Sequence, residues 1–318
     1  MKIRSILGNV MLASTFVAMT GAAQAADSSF KAAMVMPGSI TDQSWNQQGY
    51  EAIMRAKEVL GIEVAYSEKV AQPDQLEAMS DYGRRGYNVV FGHGGEWVDA
   101  AKRAAKRNKD TLFVVTNGFV KDQGVASLTF NFKQFGYALG FLAGKMSEKP
   151  KTGYISGQKI QIATDLEDGY KKGFVSVHPD AEFLVTYTNE WDDVAKGKEA
   201  ALNQLDQDIE VVFSLLDNAQ IGVLQAAQEK GAWAFGVWQD VYENWPDTAL
   251  QSAVMDFRVA IVDFLKDAME GKVSNEVYQV EIGTDAGTLG TYHPSIPKEV
   301  VEETEEVIRK LHSHEIKL

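Results

Sequence analysis

Short apolar runs alternate with amphipathic stretches along most of the chain, and this alternation predicts a doubly wound parallel α/β sheet. The strands predicted in the first part of the chain are Lys31 to Met36, Ile62 to Tyr66, Asn88 to Phe91 and Leu112 to Val115. The helices predicted between them are Ser44 to Leu60, Pro73 to Arg85 and Trp97 to Lys106. These elements predict one complete α/β lobe.

The same alternation restarts after Phe132 and predicts a second α/β lobe. Its predicted strands are Gly153 to Ile155, Phe183 to Tyr187, Val211 to Leu215 and Trp233 to Val237. Its predicted helices are Phe135 to Met146, Leu166 to Val177, Ala195 to Leu205 and Ile221 to Glu229. We expect the strand and helix over Leu250 to Met269 to return to the first lobe, and the segment from Tyr278 to cross again. The predicted first lobe is therefore residues 26–131 with 250–275, and the second is 132–249 with 276–318.

The first 25 residues have the three parts of a secretory signal peptide. Lys2 and Arg4 give the positive start, an apolar stretch from Ile6 to Thr20 follows, and Ala23-Gln24-Ala25 forms the cleavage site. We therefore expect cleavage near Ala25/Ala26. The apolar stretch is shorter than the roughly 20 residues of a spanning helix, so we expect export without membrane insertion.

Composition limits the cellular compartments and the binding partners that are expected. The 318 residues include no cysteine, which excludes disulfides, thiolate zinc sites, a cysteine nucleophile and a lipid-anchored cysteine. A secreted binding protein without such an anchor is retained only behind an outer membrane, so a Gram-negative periplasm is expected. The net charge of -13 repels nucleic acid and anionic membrane surfaces, so neither is an expected partner.

Polar and glycine residues follow the predicted strands where ligands bind in parallel sheets, beyond the carboxyl ends. In the first lobe these loops are Pro37 to Asn46, Gly92 to Glu96 and Thr116 to Gly118. In the second lobe they are Trp191 to Asp193, Asp217 to Ala219 and Trp238 to Asp240. Tryptophans beside amides and carboxylates suit a flat ligand that is stacked on its faces and hydrogen-bonded at its edge.

Five segments in order resemble the basic membrane protein (BMP) family of substrate-binding proteins, whose best-known members are purine nucleoside receptors of ABC transporters. The opening segment is Asp42-Gln43-Ser44-Trp45-Asn46-Gln47-x-Gly49-Tyr50-Glu51, followed by Thr129-Phe130-x-Phe132-x-Gln134-x-Gly136-Tyr137-x-Leu139-Gly140, Gly169-Tyr170-x-x-Gly173-Phe174, Trp191-Asp192-Asp193-x-x-Lys196-Gly197-Lys198 and Gly236-x-x-x-Asp240. Each segment is weakly specific alone. Together they cover nearly the whole chain after the signal peptide.

The resemblance implies a two-lobed type I periplasmic binding protein that closes over a small aromatic, purine-like ligand and docks on an ABC transporter permease. No cofactor or metal is implied, and we expect a monomer. In the family's nucleoside receptors two aromatic residues sandwich the base, and here these would be Trp45 and Trp191. Asp42 and Asn46 would add polar contacts, and Asn117 would meet the base edge.

The resemblance also bears on whether the ligand carries a sugar. The positions at which an Asp and a Lys hold ribose in the nucleoside receptors align here with Trp238 and Met255. A one-residue shift near Met255 would bring Asp256 there instead. Neither an indole nor a thioether can both donate to and accept from a diol, so we expect a free purine base or a similar neutral heterocycle. A nucleoside or a flavin-type ligand is the alternative.

Each candidate residue also has a structural interpretation. Asp42 can be the N-cap of the first helix, and Asn117 a turn residue. Trp45, Trp191 and Trp238 can be packing residues. His93, between glycines, can contact the ligand or have no role in it. Asp240 completes the candidate set because it lies beside Trp238 in the loop.

An enzyme is disfavoured because no Ser-elbow motif or metal-ligand cluster occurs, and the glycines from Gly92 to Gly95 lack dinucleotide-binding spacing. A transcriptional regulator of this fold is disfavoured because an export signal lies where a helix-turn-helix would be. A receptor that presents its ligand to a membrane sensor, and not to a permease, is the remaining functional alternative.

Overall fold

The computed structural model describes residues 30–42 and 45–318. The expected signal peptide lies outside the described residues. Within them, no helix combines the length and the apolar character needed to cross a bilayer.

The first lobe is built from the start of the described chain and follows the predicted alternation. Its strands are β1 (Lys31–Val35), β2 (Glu63–Ser67), β3 (Val89–His93), β4 (Leu112–Thr116) and β5 (Val125–Phe130). Its helices are α1 (Trp45–Leu60), α2 (Gln75–Arg84) and α3 (Val98–Arg107). Strands β1, β3, β4 and β5 are almost entirely buried, as expected of strands covered by helices on both faces.

The second lobe continues directly from β5. Its helices are α4 (Phe132–Met146), α5 (Gln161–Val177), α6 (Val194–Leu205) and α7 (Gln220–Lys230). Its strands are β6 (Lys151–Ser156), β7 (Glu182–Tyr187), β8 (Val211–Leu215) and β9 (Trp233–Trp238). The chain ends with β10 (Ala249–Met255), α8 (Phe257–Met269), β11 (Val277–Val280), β12 (Gly287–Leu289) and α9 (Lys298–His312).

Two six-stranded sheets organise the described chain. One has the order β11-β5-β4-β3-β1-β2 and the other β12-β10-β9-β8-β6-β7, with only β12 antiparallel. The carboxyl ends of the central strands in both sheets lead into the loops that line one cavity. The prediction of two doubly wound parallel lobes is confirmed.

The two sheets are joined by short crossing segments and not by a tether. The backbone N–H of Asn131, between β5 and α4, donates to the Val280 carbonyl at 2.8 Å. The N–H of Asp256, between β10 and α8, donates to the Ala286 carbonyl, also at 2.8 Å. These bonds tie the crossing segments side by side, the arrangement of a hinge between lobes.

The segment Leu250 to Met269 was expected to return to the first lobe, but the structure divides it between the two lobes. Strand β10 lies in the second sheet, parallel to β9, and only α8 packs on the first lobe, against α1. Strand β11 in turn pairs with β5 in the first sheet. Apolar strands of either lobe have the same pattern, so the sequence does not reveal which sheet a strand joins.

Glycines of two family-like segments serve helix packing. Helices α4 and α5 form the most extensive helix pair of the described chain. A Cβ on Gly140 would overlap the Tyr170 carbonyl, and one on Gly173 would overlap the Tyr137 carbonyl. These glycines let the two helix backbones approach closely, so both segments stabilise the second lobe instead of contacting a ligand.

Candidate functional site

A cavity of about 930 Å³ lies between the two lobes. First-lobe residues lining it come from the start of α1 and from the segments after β3 and β4, and second-lobe residues from the segments after β6, β7 and β8 and from the end of β9. Its lining includes Trp45, Glu96, Lys102, Asn117, Lys121, Gln158, Ile160, Trp191, Asp217 and Trp238. The cavity therefore has aromatic, acidic and amide groups from both lobes.

Trp45 is held in place by a buried histidine. Its ring stacks on His93 with centroids 3.9 Å apart and planes 13° from parallel, and its edge meets Phe257 at 5.3 Å. Nε2 of His93 lies 2.9 Å from the Trp45 carbonyl oxygen, which can only accept, so Nε2 carries the proton. Nδ1 then accepts from the Thr116 hydroxyl at 3.0 Å. Backbone and ring of Trp45 are thus fixed together.

Burial determines the charge of His93. The side chain is fully buried, which lowers its pKa from 6.5 to about 4, although the Trp45 carbonyl and the Asp42 carboxylate favour the charged form. His93 is therefore neutral at physiological pH. It lies behind Trp45 and is not part of the cavity lining. Its place in the structure is that of a support for the indole.

Trp191 lines the same cavity from the second lobe. The backbone of Gly157 lies against its ring, because a Cβ there would overlap the indole atoms Cδ2 and Cε3. The Trp191 carbonyl accepts from the N–H groups of Asp217, at 3.0 Å, and Ala219, at 3.1 Å. The loops that carry Trp191 and Asp217 are therefore held as one unit.

Trp238 ends β9 in the left-handed conformation, with φ of 71°. Such a conformation is costly for a large side chain and is concentrated at functional sites. Its indole N–H donates to the Leu216 carbonyl at 3.1 Å, and its ring is 5.7 Å from that of Trp45. Trp238 lines both the main cavity and a neighbouring polar cavity of about 400 Å³, so it lies at their boundary.

Asp42 and Asn46 form the start of α1. The Asp42 carboxylate accepts from the N–H groups of Asn46 and Gln47, at 2.9 and 3.0 Å, and from the Asn46 amide at 2.7 Å. The Asn46 side-chain oxygen accepts from the Gly38 N–H at 2.9 Å. These are helix-capping contacts that position Trp45, and neither side chain is part of the cavity lining.

Of the remaining predicted site residues, one lines the cavity and two lie outside its lining. Asn117 lines the cavity with φ of 50°, and its side-chain oxygen accepts from Thr129 at 3.4 Å. Asp240 lies outside the cavity lining, and its carboxylate accepts from the N–H and hydroxyl of Thr291 at 2.8 and 2.7 Å. Met255 is fully buried in β10 and is also outside the lining. The cavity thus brings together Trp45, Asn117, Trp191 and Trp238.

Two acidic residues of the cavity were not singled out from the sequence. Burial raises the pKa of Asp217 to about 7, with the nearby Asp192 and Asp42 carboxylates adding to the effect. Burial also raises the pKa of Glu96. The carboxylate-amide pair Asp217-Asn218 directly after an apolar strand was the available sequence signal. Within the described residues, no group of three side chains is placed to hold a metal ion.

Comparisons with known proteins agree with this architecture. The sequence model of a family described as ABC transporter substrate-binding protein PnrA-like matches residues 29–318. This match confirms the resemblance found in the sequence.

Individual relatives and a solved structure are similar to the chain over most of its length. The chain is 27% identical over 296 residues to a purine-binding protein of Brucella abortus, covering 92% of this chain and 84% of that one. It is 25% identical over 280 residues to the transcriptional activator protein Med of Bacillus subtilis, covering 88% and 87%. An ABC transporter solute-binding protein from Aeropyrum pernix superposes with a TM-score of 0.75 at 20% identity, covering 91% of this chain and 92% of that one.

Proposed function

The chain belongs to the PnrA-like family of ABC transporter substrate-binding proteins, and from this premise we propose that it binds a free purine base, or a similar neutral heterocycle, between its lobes. The family's members are solute-binding proteins and not enzymes. We further propose that the protein acts in the periplasm, as a monomer, and delivers the ligand to an ABC transporter permease.

The observation that carries the proposal is that Trp45 and Trp191 line one cavity from opposite lobes. Each ring has one face supported by the protein, Trp45 by His93 and Trp191 by Gly157. We expect a flat ligand to stack on the other face of each ring. Stacking on two fixed aromatic rings favours a planar heterocycle over a sugar or a peptide.

Trp238 supports a base in preference to a nucleoside. Its large ring is held between Trp45 and Phe132, at 5.7 and 6.2 Å. In the alignment that the resemblance implies, it stands where the nucleoside receptors carry an Asp that holds ribose. A buried ribose would need hydrogen-bond partners for its hydroxyls, and an unsatisfied hydroxyl costs about 1–3 kcal/mol. The purine-binding relative in Brucella abortus is consistent with a purine ligand.

Closure of the lobes is the expected mechanism, because the ligand would contact Trp45 in one lobe and Trp191 in the other. The side-chain amide of Asn218 already donates across the lobes to the Asp42 carbonyl at 3.4 Å. The two lobes turn about the short crossing segments. The permease would then recognise the closed form.

Calorimetric titration of adenine, guanine and hypoxanthine beside their ribonucleosides tests the proposal. We expect each base that binds to bind more tightly than its nucleoside. The variant Trp238→Gly, which opens space beside the cavity, should narrow that difference. Tighter binding of any nucleoside than of its base by the unmodified protein would overturn the assignment of a free base.

A further inference from the structure

Asp217 lies where the two cavities meet. It follows β8, lines both the main cavity and the polar cavity, and is half-buried. The indole N–H of Trp238 donates to the carbonyl of Leu216, the residue before Asp217, at 3.1 Å. Its backbone N–H is bound to the Trp191 carbonyl at 3.0 Å, so the side chain starts from a fixed loop beside one of the aromatic platforms.

Acidic groups from both lobes converge on Asp217. Among the described residues, the charges that act on its carboxyl are those of Asp192, from its own lobe, and Asp42, from the other. The side-chain amide of Asn218 links the same elements, donating to the Asp42 carbonyl at 3.4 Å and to the Asp192 carboxylate at 3.2 Å. The acidic residues Asp42 and Asp192, from the two lobes, therefore share the surroundings of Asp217 in this structure.

The basic residues that line the two cavities are Arg258, Lys102 and Lys121. Arg258 lines the polar cavity, but it pairs with Asp256 at 2.8 Å and with Glu51 at 3.4 Å. Lys102 and Lys121 line the main cavity together with Glu96, from the segments after β3 and β4 in the first lobe. Among the described residues, none of these cations forms a salt bridge with the Asp217 carboxyl.

These surroundings favour the neutral acid. Burial is the largest cause that raises the pKa of Asp217, followed by the repulsion from Asp192 and then from Asp42, and the result is about 7. The Trp238 N–H lowers it by a smaller amount. A neutral ligand that displaces water from the cavity removes further solvation from a carboxylate, so binding favours the protonated form still more.

A protonated carboxyl has one donor and one acceptor side by side in one plane. Its complement is an edge with a donor and an acceptor on the two ends of an N–C–N unit, such as an amino group beside an unprotonated ring nitrogen. An ionised carboxylate only accepts, and it matches an edge with two adjacent N–H donors instead. The protonation state of Asp217 therefore selects between two kinds of heterocycle edge.

We propose that Asp217 is the specificity-determining residue of the site and that it binds, as the neutral acid, the H–N–C=N edge of an aminated heterocycle such as adenine. This inference rests on the proposed function for the location of the ring between Trp45 and Trp191.

The first experiment is a titration of adenine, by calorimetry, from about pH 5.5 to about pH 8.5. The affinity should be constant below about pH 7. It should fall as the pH rises further, by up to about tenfold per pH unit, because the Asp217 carboxylate must then take up a proton when adenine binds. Asp217→Asn has the same donor and acceptor at every pH. Its adenine affinity should stay within about threefold of the low-pH value and should not change with pH.

The second experiment removes the amino group from the ligand. Purine, which lacks it, should bind the unmodified protein at least tenfold more weakly than adenine at low pH. In Asp217→Ala the two ligands should bind almost equally, because the partner of the amino group is gone. Both ligands are measured on the same protein, so a lower stability of the alanine variant does not change the comparison between them.

The inference is overturned by adenine binding that does not change with pH or that tightens as pH rises, by loss of binding in Asp217→Asn, or by an amino-group effect that persists in Asp217→Ala. If purine bases bind but give any of these results, the inference about Asp217 fails and the proposed function still holds. If purines fail to bind but 2-aminopyrimidine shows the Asp217-dependent pH profile, the purine assignment fails and this inference stands. If neither class binds, both fail.

Discussion

Replacing Trp191 by alanine tests the aromatic platform of the second lobe. The residue is half-buried in the loop after β7, and its ring rests on the backbone of Gly157. The loop itself is held by backbone hydrogen bonds to the Trp191 carbonyl, which alanine retains. The change should therefore remove the platform without unfolding the lobe.

The magnitude follows from the surface that the ligand loses. One face of a bicyclic ligand covers about 60 Å² of apolar surface, worth about 1.5 kcal/mol at about 25 cal/mol per Å². Ring stacking adds about 0.5–1.5 kcal/mol beyond this area. The sum of about 2–3 kcal/mol corresponds to a loss of affinity of about 30- to 150-fold.

Calorimetric titration of the ligand that binds most tightly measures this loss. Trp191→Phe, which keeps a smaller ring, should bind within about tenfold of the unmodified protein. Trp233→Ala is the matched control, because Trp233 begins β9 and packs against His293 away from the cavity, and its affinity should not change. If Trp191→Ala binds as tightly as the control, the placement of the ligand on this ring is refuted.

Four further outcomes are expected. Gly157→Ala should weaken binding by displacing the ring of Trp191, whereas the empty protein should melt within a few degrees of the original. Ligand binding should quench tryptophan fluorescence, and Trp238→Phe should remove part of the quenching; an unchanged spectrum on binding would place the site elsewhere. His93 has a pKa of about 4 when folded and 6.5 as a free side chain, so its contribution to stability is complete above about pH 6.5 and is lost as the pH falls towards 4. That loss amounts to about 3 kcal/mol in thermal or urea unfolding, and a His93→Gln variant should lack this pH dependence. Asp240→Ala should cost at most about 1 kcal/mol of stability, because its hydrogen bonds to Thr291 lie at the surface, where water replaces the lost acceptor, while ligand affinity should stay within about threefold; a large loss of affinity would return Asp240 to the site.

The fold was largely predictable because strands buried on both faces are short continuous apolar runs, and amphipathic helices separate them. Strand β5 escaped prediction because buried Ser127 and Thr129 interrupt its apolar pattern. The sheet joined by β10 was also not predictable. Pairing between strands that are distant in sequence depends on the packing of the whole lobe. The apolar pattern of β10 is compatible with either sheet.

The site was predictable as a set of loops but not in the role of each side chain. Tryptophans after parallel strands marked the cavity, and Trp45, Trp191 and Trp238 line it. The support that His93 gives to Trp45 joins β3 to α1 across 48 residues, and no local pattern reveals such a contact. The importance of Asp217 depends on carboxylates that only the folded chain brings near it.

The crystal structure of the protein grown with adenine tests the central claim most directly. We expect a planar ring between Trp45 and Trp191, with its amino edge within hydrogen-bonding distance of the Asp217 carboxyl. A ring bound outside the cavity between the lobes, or stacked on neither tryptophan, would contradict it.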